Sequence, residues 1–207
     1  MKKTLFVLLV LLLPLGAFAR PQQEAPLGSE ENPLVWSFVP SGDTNRIVAG
    51  GETVADMIFD KTGLVIEVSV ATEYAGVIEA LSSDPPSAHM ASLATFSYVL
   101  AADRGVAEAA LVAVRFGSPT YNGQLIAGAD TGINSVEDLE GATFARPDPL
   151  STSGWIIPML TMRAAGIDTE TDLEVVDAGG HTAVVTAVYN GDVDAGATYV
   201  DARGGVE

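Results

Sequence analysis

Strand-like and helix-like segments alternate along most of this 207-residue chain, and that alternation limits what it can fold into. Residues 34–39 form a short apolar run. Residues 47–61 carry helical spacing through Ile47, Val48, Val54, Met57 and Ile58 and stop at Thr62-Gly63, and residues 64–70 are β-branched. Residues 74–81 then read as a helix closed by Ser82-Ser83-Asp84-Pro85-Pro86, 88–93 as a strand, 96–104 as a helix closed by Gly105, and 109–116 as a strand. The second half repeats the alternation without repeating the sequence: strand 124–129, a helical turn at 135–139, strand 142–145, helix 152–165 interrupted near Pro158, strand 173–176, helix 182–189 capped by Asn190-Gly191, and strand 193–197. The pattern predicts an α/β protein of βαβ units with mainly parallel sheets flanked by helices. In such sheets ligands sit beyond the carboxyl ends of strands, so a site is expected in loops 40–45, 71–74, 94–95, 147–154 and 178–181.

One of these loops carries a distinctive run, Asp148-Pro149-Leu150-Ser151-Thr152-Ser153-Gly154-Trp155. It places three hydroxyls at the start of a predicted helix. Unpartnered N–H groups and the positive end of the peptide dipole let an oxyanion bind there without Lys or Arg. Taken alone, a hydroxyl run before an apolar segment is more often plain N-capping, so the surrounding loops have to decide. They contain hydroxyls, small residues, a tyrosine and a histidine, with almost no basic residue. A site built from them binds by hydrogen bonding.

Composition removes several classes of function. The chain holds 27 acidic and 10 basic residues, for a net charge of −17. A surface that tracks nucleic acid phosphates needs clustered basic residues, and none occur. There is no cysteine, which excludes disulfides, thiolate nucleophiles, Cys-based metal sites and a lipidated N-terminal cysteine. The N-terminus has the form of an export signal: Lys2 and Lys3, an apolar run over 5–15, then Ala17-Phe18-Ala19 as a cleavage site. As a helix that run rises about 16 Å, half of a bilayer core, so a cleaved segment 1–19 is expected rather than an anchor. Residues 20–33, rich in Pro, Gln and Glu, read as a flexible leader.

Taken in order, five pieces resemble the phosphate, phosphite and phosphonate substrate-binding proteins of ABC transporters. They are Glu73-Tyr74-Ala75-Gly76-Val77-Ile78-Glu79-Ala80-Leu81, Gly117-Ser118-Pro119-Thr120-Tyr121, Asp138-Leu139-Glu140-Gly141-Ala142-Thr143-Phe144, Ser151-Thr152-Ser153-Gly154, and Gly180-His181 followed by 187–196. The resemblance implies a two-lobed periplasmic-binding-protein clamshell of type II. Lobe one would run over 34–115, the hinge crossing over 116–124 and lobe two over 125–207, with the return to lobe one missing and the second half therefore incomplete. It implies that Ser151, Thr152 and Ser153 hold phosphonate-type oxygens, that Tyr74 donates its phenol from the opposite lobe, and that His181 supplies a ring N–H. Ser41 and Thr95 are further candidate donors, and Tyr121 lies in the crossing. A helix-capping or packing role remains the competing account of His181, and a turn or N-cap role that of Ser41 and Thr95. The implied partners are a small oxyanion and membrane permease subunits, with a monomeric, periplasmic, soluble receptor that needs no cofactor.

Two departures bear on the ligand. Ser92-Leu93-Ala94-Thr95 is small where some family members carry an aromatic residue, and Thr182 rather than a carboxylate follows His181. Both argue against an aminoalkyl phosphonate and for a compact ligand. An enzyme is the weaker reading, because Ser151 lacks a G-x-S-x-G elbow. His89 and His181 have no metal-ligand spacing, and the acidic groups at 168–172 and 192–194 read as turn-making residues. A ligand-sensing clamshell of a signalling protein and a receptor for another small anion, such as a sulfonate, use the same fold.

Overall fold

The computed structural model describes residues 24–115 and 117–205. The expected signal segment 1–19 lies outside the described residues. Two sheets organise the chain. The first has the order β2-β1-β3, with β1 (Leu34–Phe38) central and parallel to both β2 (Ile66–Val70) and β3 (Met90–Ser92). The crossover between β1 and β2 is α1 (Thr44–Thr62). It begins where the Asp43 side chain accepts from Arg46 N at 2.8 Å and ends at Gly63, whose φ of 74° suits a residue without Cβ. After β2 comes α2 (Tyr74–Ser82), and after β3 comes α3 (Thr95–Asp103).

The second sheet has the order β4-β7-β5-β6. Here β5 (Thr143–Arg146) is parallel to β6 (Glu174–Asp177) and to β7 (Ala195–Tyr199), while β4 (Gly123–Ala127) runs antiparallel to β7. The helices are α4 (Ile157–Ala164) and α5 (His181–Asn190), the latter ended by Gly191 in the left-handed region. Phe144, Trp155, Met162 and Leu139 fill the main core of this half, and Val184 and Val188 fill a second core beneath α5. The first half has a smaller core of Val39, Tyr74 and Val77, and Leu150 from the second half packs against it.

Three expectations change. Residues 109–116 do not form a strand: 107–114 carry no ladder, Arg115 bridges only Ser118, and Leu111 is 95% exposed. Phe116 lies outside the described residues. A β-branched run can pair only if a free edge lies in register beside it, and among the described residues no strand adds to the outer edge of β3. Residues 26–33, assigned by composition to a flexible leader, form a closed turn in which Gly28 N donates to Asn32 O at 2.7 Å and Val65 N donates to Gly28 O at 2.8 Å. The helix expected from residue 152 begins as a π-helical turn, Thr152–Ile156, before α4 takes over. Pro158 has no N–H to continue an i−4 ladder, and the ladder ahead of it opens: Ile156 N donates to Ser151 O at 2.9 Å and Ile157 N to Thr152 O.

Candidate functional site

The loop after β5 is shaped by its own side chains. Asp148 Oδ1 accepts Leu150 N at 2.7 Å and Asp148 O accepts Ser151 N at 3.0 Å, which closes a tight turn. Ser151 follows as the N-cap, with its Oγ accepting Gly154 N at 3.2 Å. Gly154 is required by its neighbour, since a Cβ there would lie 2.4 Å from both Cδ and Cγ of Pro147. Contact with that rigid ring holds the turn and helix together and aims Ser151 toward α5.

Ser151, Tyr74 and His181 converge, although they come from three different loops. Ser151 Oγ lies 3.3 Å from His181 Nε2, and the Tyr74 phenol lies beside Ser151. On its far side the imidazole places Nδ1 2.9 Å from Thr198 Oγ1, and the Tyr199 ring packs against it with centroids 4.7 Å apart. Tyr74, Ser151, His181 and Thr198 are all at most 4% exposed. Burial holds the His181 pKa down at about 4, so the ring is neutral near pH 7. Burial also raises the Tyr74 pKa well above the ordinary phenol value; the neighbouring Ser151 hydroxyl works against this rise and the Asp148 charge adds to it. The cluster is therefore uncharged and rich in donors.

The remaining candidates take other positions. Ser153 is buried beside the start of β4, and among the described residues neither its N–H nor that of Thr152 donates to a protein acceptor. Thr152 turns its hydroxyl away from the cluster and accepts Phe96 N at 2.8 Å. Thr95 is exposed and its hydroxyl makes no hydrogen bond among the described residues. Ser41 contributes its carbonyl, which accepts His181 N at 3.2 Å, rather than its hydroxyl. Tyr121 is 58% exposed on the crossing segment. Sequence reasoning passed over Asp148 and Thr198. The spacing of Asp148 to Leu150 was the readable sign of the first; Thr198, an ordinary strand residue, gave none.

Helices α2 after Glu73, α3 after Ala94 and α5 after Gly180 start without a side-chain cap of their own. Each is completed from the opposite half of the chain, by Asp148 Oδ2 on Tyr74 N at 2.9 Å, Thr152 Oγ1 on Phe96 N, and Ser41 O on His181 N. Arg146, the cation next to the loop, is occupied by an ion pair with Asp177 and by the face of Trp155, 4.4 Å away. An open depression of about 330 Å³ borders Asp148 and Leu150, but Glu73 and Glu79 line it and its Arg104 is paired to Glu79, so it is unsuited to an anion.

Two α/β halves with neutral donors gathered where they meet have the architecture of a clamshell. Comparison with known proteins gives the family. Residues 36–204 match the model described as ABC transporter, phosphonate, periplasmic substrate-binding protein. The phosphate-import protein PhnD of Mycolicibacterium smegmatis is 29% identical over 188 residues, which cover 86% of this chain and 58% of that protein. Among solved structures, a binding protein component of an ABC phosphonate transporter from Pseudomonas aeruginosa superposes with a TM-score of 0.71 at 22% identity, covering 85% of this chain and 58% of the other. PhnD1 from Prochlorococcus marinus, solved in complex with methylphosphonate, gives 0.70 at 17% identity, covering 80% and 63%. The chain belongs to the periplasmic phosphonate substrate-binding family of ABC transporters, and its fold is the type II periplasmic-binding-protein clamshell. It spans a little over half the length of the Mycolicibacterium relative.

Proposed function

We propose that this chain captures a small phosphorus oxyanion (phosphate, phosphite or a phosphonate) between its two lobes for an ABC importer, without chemical turnover. The observation that carries the reading is the buried, uncharged cluster of Ser151, Tyr74 and His181, next to the open N–H groups of Thr152 and Ser153. Neutral donors in a water-poor site hold an anion through full hydrogen bonding, and they do so despite a net charge of −17. Ligand bridging the lobes favours the closed form, which membrane permease subunits would recognise. The absence of a carboxylate beside His181 favours a compact ligand over an aminoalkyl phosphonate.

Export through the segment 1–19 and release as a cysteine-free receptor would place the protein in the periplasm. No helix of the described residues is long and apolar enough to cross a membrane. The test is a thermal-shift screen of phosphate, phosphite, methylphosphonate, aminoethylphosphonate and sulfate, because a ligand that binds only the native state raises its melting point. A selective shift with one of the first three supports the reading. Equal shifts with sulfate, or none with any phosphorus anion, overturn it.

A further inference from the structure

The proton on the His181 ring can be placed by counting hydrogen-bond partners. Thr198 is fully buried in β7, and among the described residues its hydroxyl meets a single partner, His181 Nδ1 at 2.9 Å. A neutral imidazole carries one N–H. If that proton sat on Nδ1 and pointed at Thr198, the threonine O–H would be a buried donor with no acceptor, an arrangement that folded proteins avoid. If Thr198 donates to Nδ1 instead, both groups are satisfied and the ring proton must sit on Nε2.

The consequence runs through the cluster. Nε2–H faces Ser151 Oγ at 3.3 Å, and Gly154 N–H donates to the same oxygen. With both lone pairs of Ser151 occupied, its own O–H is the hydrogen left free to point outward. With the ring proton on Nδ1, Ser151 would spend its hydrogen on Nε2 and have none to offer outward. A buried hydroxyl on a neighbouring strand thus decides whether Ser151 can offer its hydrogen to an oxyanion.

We infer that Thr198 is a positioning residue which, by donating to Nδ1, fixes His181 in the Nε2–H tautomer and leaves the Ser151 hydroxyl free as an outward donor. The binding consequence rests on the function proposed above; the tautomer does not.

The test uses the whole chain in two parts. First, ¹⁵N–¹H correlation across two and three bonds at pH 7, without ligand, reads the tautomer of each ring. The chain has only His89 and His181, and His89 Nδ1 accepts Val35 N at 3.0 Å, which makes it an internal Nε2–H standard. His181 is expected to match it. Thr198→Val, which keeps the shape and loses the hydroxyl, is expected to move the His181 signals toward a mixed or Nδ1–H form, and Thr198→Ser to restore them. A wild-type ring protonated on Nδ1, or an unchanged tautomer in folded Thr198→Val, overturns the inference. If Thr198→Val does not fold, the wild-type and Thr198→Ser spectra decide.

Second, calorimetry with methylphosphonate and with phosphate is expected to show at least tenfold weaker binding in Thr198→Val, regained in Thr198→Ser. An Nε2–H ring in a protein that binds neither anion leaves the tautomer assignment standing and removes the receptor function. Unchanged affinity in folded Thr198→Val removes the role in binding.

Discussion

Asp148 Oδ2 accepts the backbone N–H of Tyr74 at 2.9 Å, so a carboxylate from one lobe caps the helix that carries the phenol of the other. The other Asp148 oxygen closes the turn that presents Ser151. One side chain thereby sets the relative position of two candidate site residues 77 positions apart in sequence. Asp148→Ala is expected to cost about 1–2 kcal/mol, the usual worth of such a cap, in urea unfolding. It should also enlarge the ligand-free molecule in small-angle scattering as the lobes separate. Unchanged scattering would mean that the contact does not hold the lobes together.

Gly154→Ala tests the packing beneath the site. The new methyl would meet the Pro147 ring at 2.4 Å and Ser151 Oγ at 2.9 Å, and the ring has no flexible end to swing away. Destabilisation of about 1–3 kcal/mol is expected, together with weaker anion binding because Ser151 is displaced. A variant with native melting temperature and affinity would contradict the described turn.

The pH dependence follows from His181. Its folded pKa of about 4 lies below the ordinary 6.5, so the unfolded chain takes up a proton first as pH falls. Stability is unaffected by this group above 6.5, declines as pH drops from 6.5 toward 4, and loses up to about 3 kcal/mol at 1.36 kcal/mol per pH unit. Asp138 and Asp194 have lowered pKa values, Asp138 through backbone hydrogen bonds and Asp194 through Thr143, so their contribution is lost only below the ordinary carboxylate value of 3.8. His181→Gln is expected to flatten the slope between pH 6.5 and 4 in chemical denaturation. The same slope in the variant would place its origin elsewhere.

Ser151→Ala combined with Ser153→Ala is expected to weaken methylphosphonate or phosphate binding at least tenfold, about 1.4 kcal/mol or more, because buried ligand oxygens lose partners. Calorimetry at fixed ionic strength provides the measurement. Retained affinity would move the site away from this turn.

The order of elements was readable because periodicity and glycine stops report local geometry: α1 and its Gly63 cap, α2 from Tyr74 and α5 from His181 all lie within a few residues of the expected bounds. The convergence of Tyr74, Ser151 and His181 followed from a topological rule about strand ends and from family resemblance. The misplaced strand at 109–116 marks the limit of such reading, since Leu111, Val112 and Val114 advertise a capacity to pair but not an edge to pair with. Asp148 and Thr198 were invisible for the same reason. Their importance lies in partners 74 and 17 residues away, and nothing in the local pattern encodes a partner.

The exchange of helix caps also makes the molecule self-reporting. The amide hydrogens of Tyr74, Phe96 and His181 are shielded only while the jaws stay shut, so their deuterium uptake would time each parting of the two halves. Three backbone protons in the native chain could serve as a label-free gauge of aperture, read before and after cargo is added.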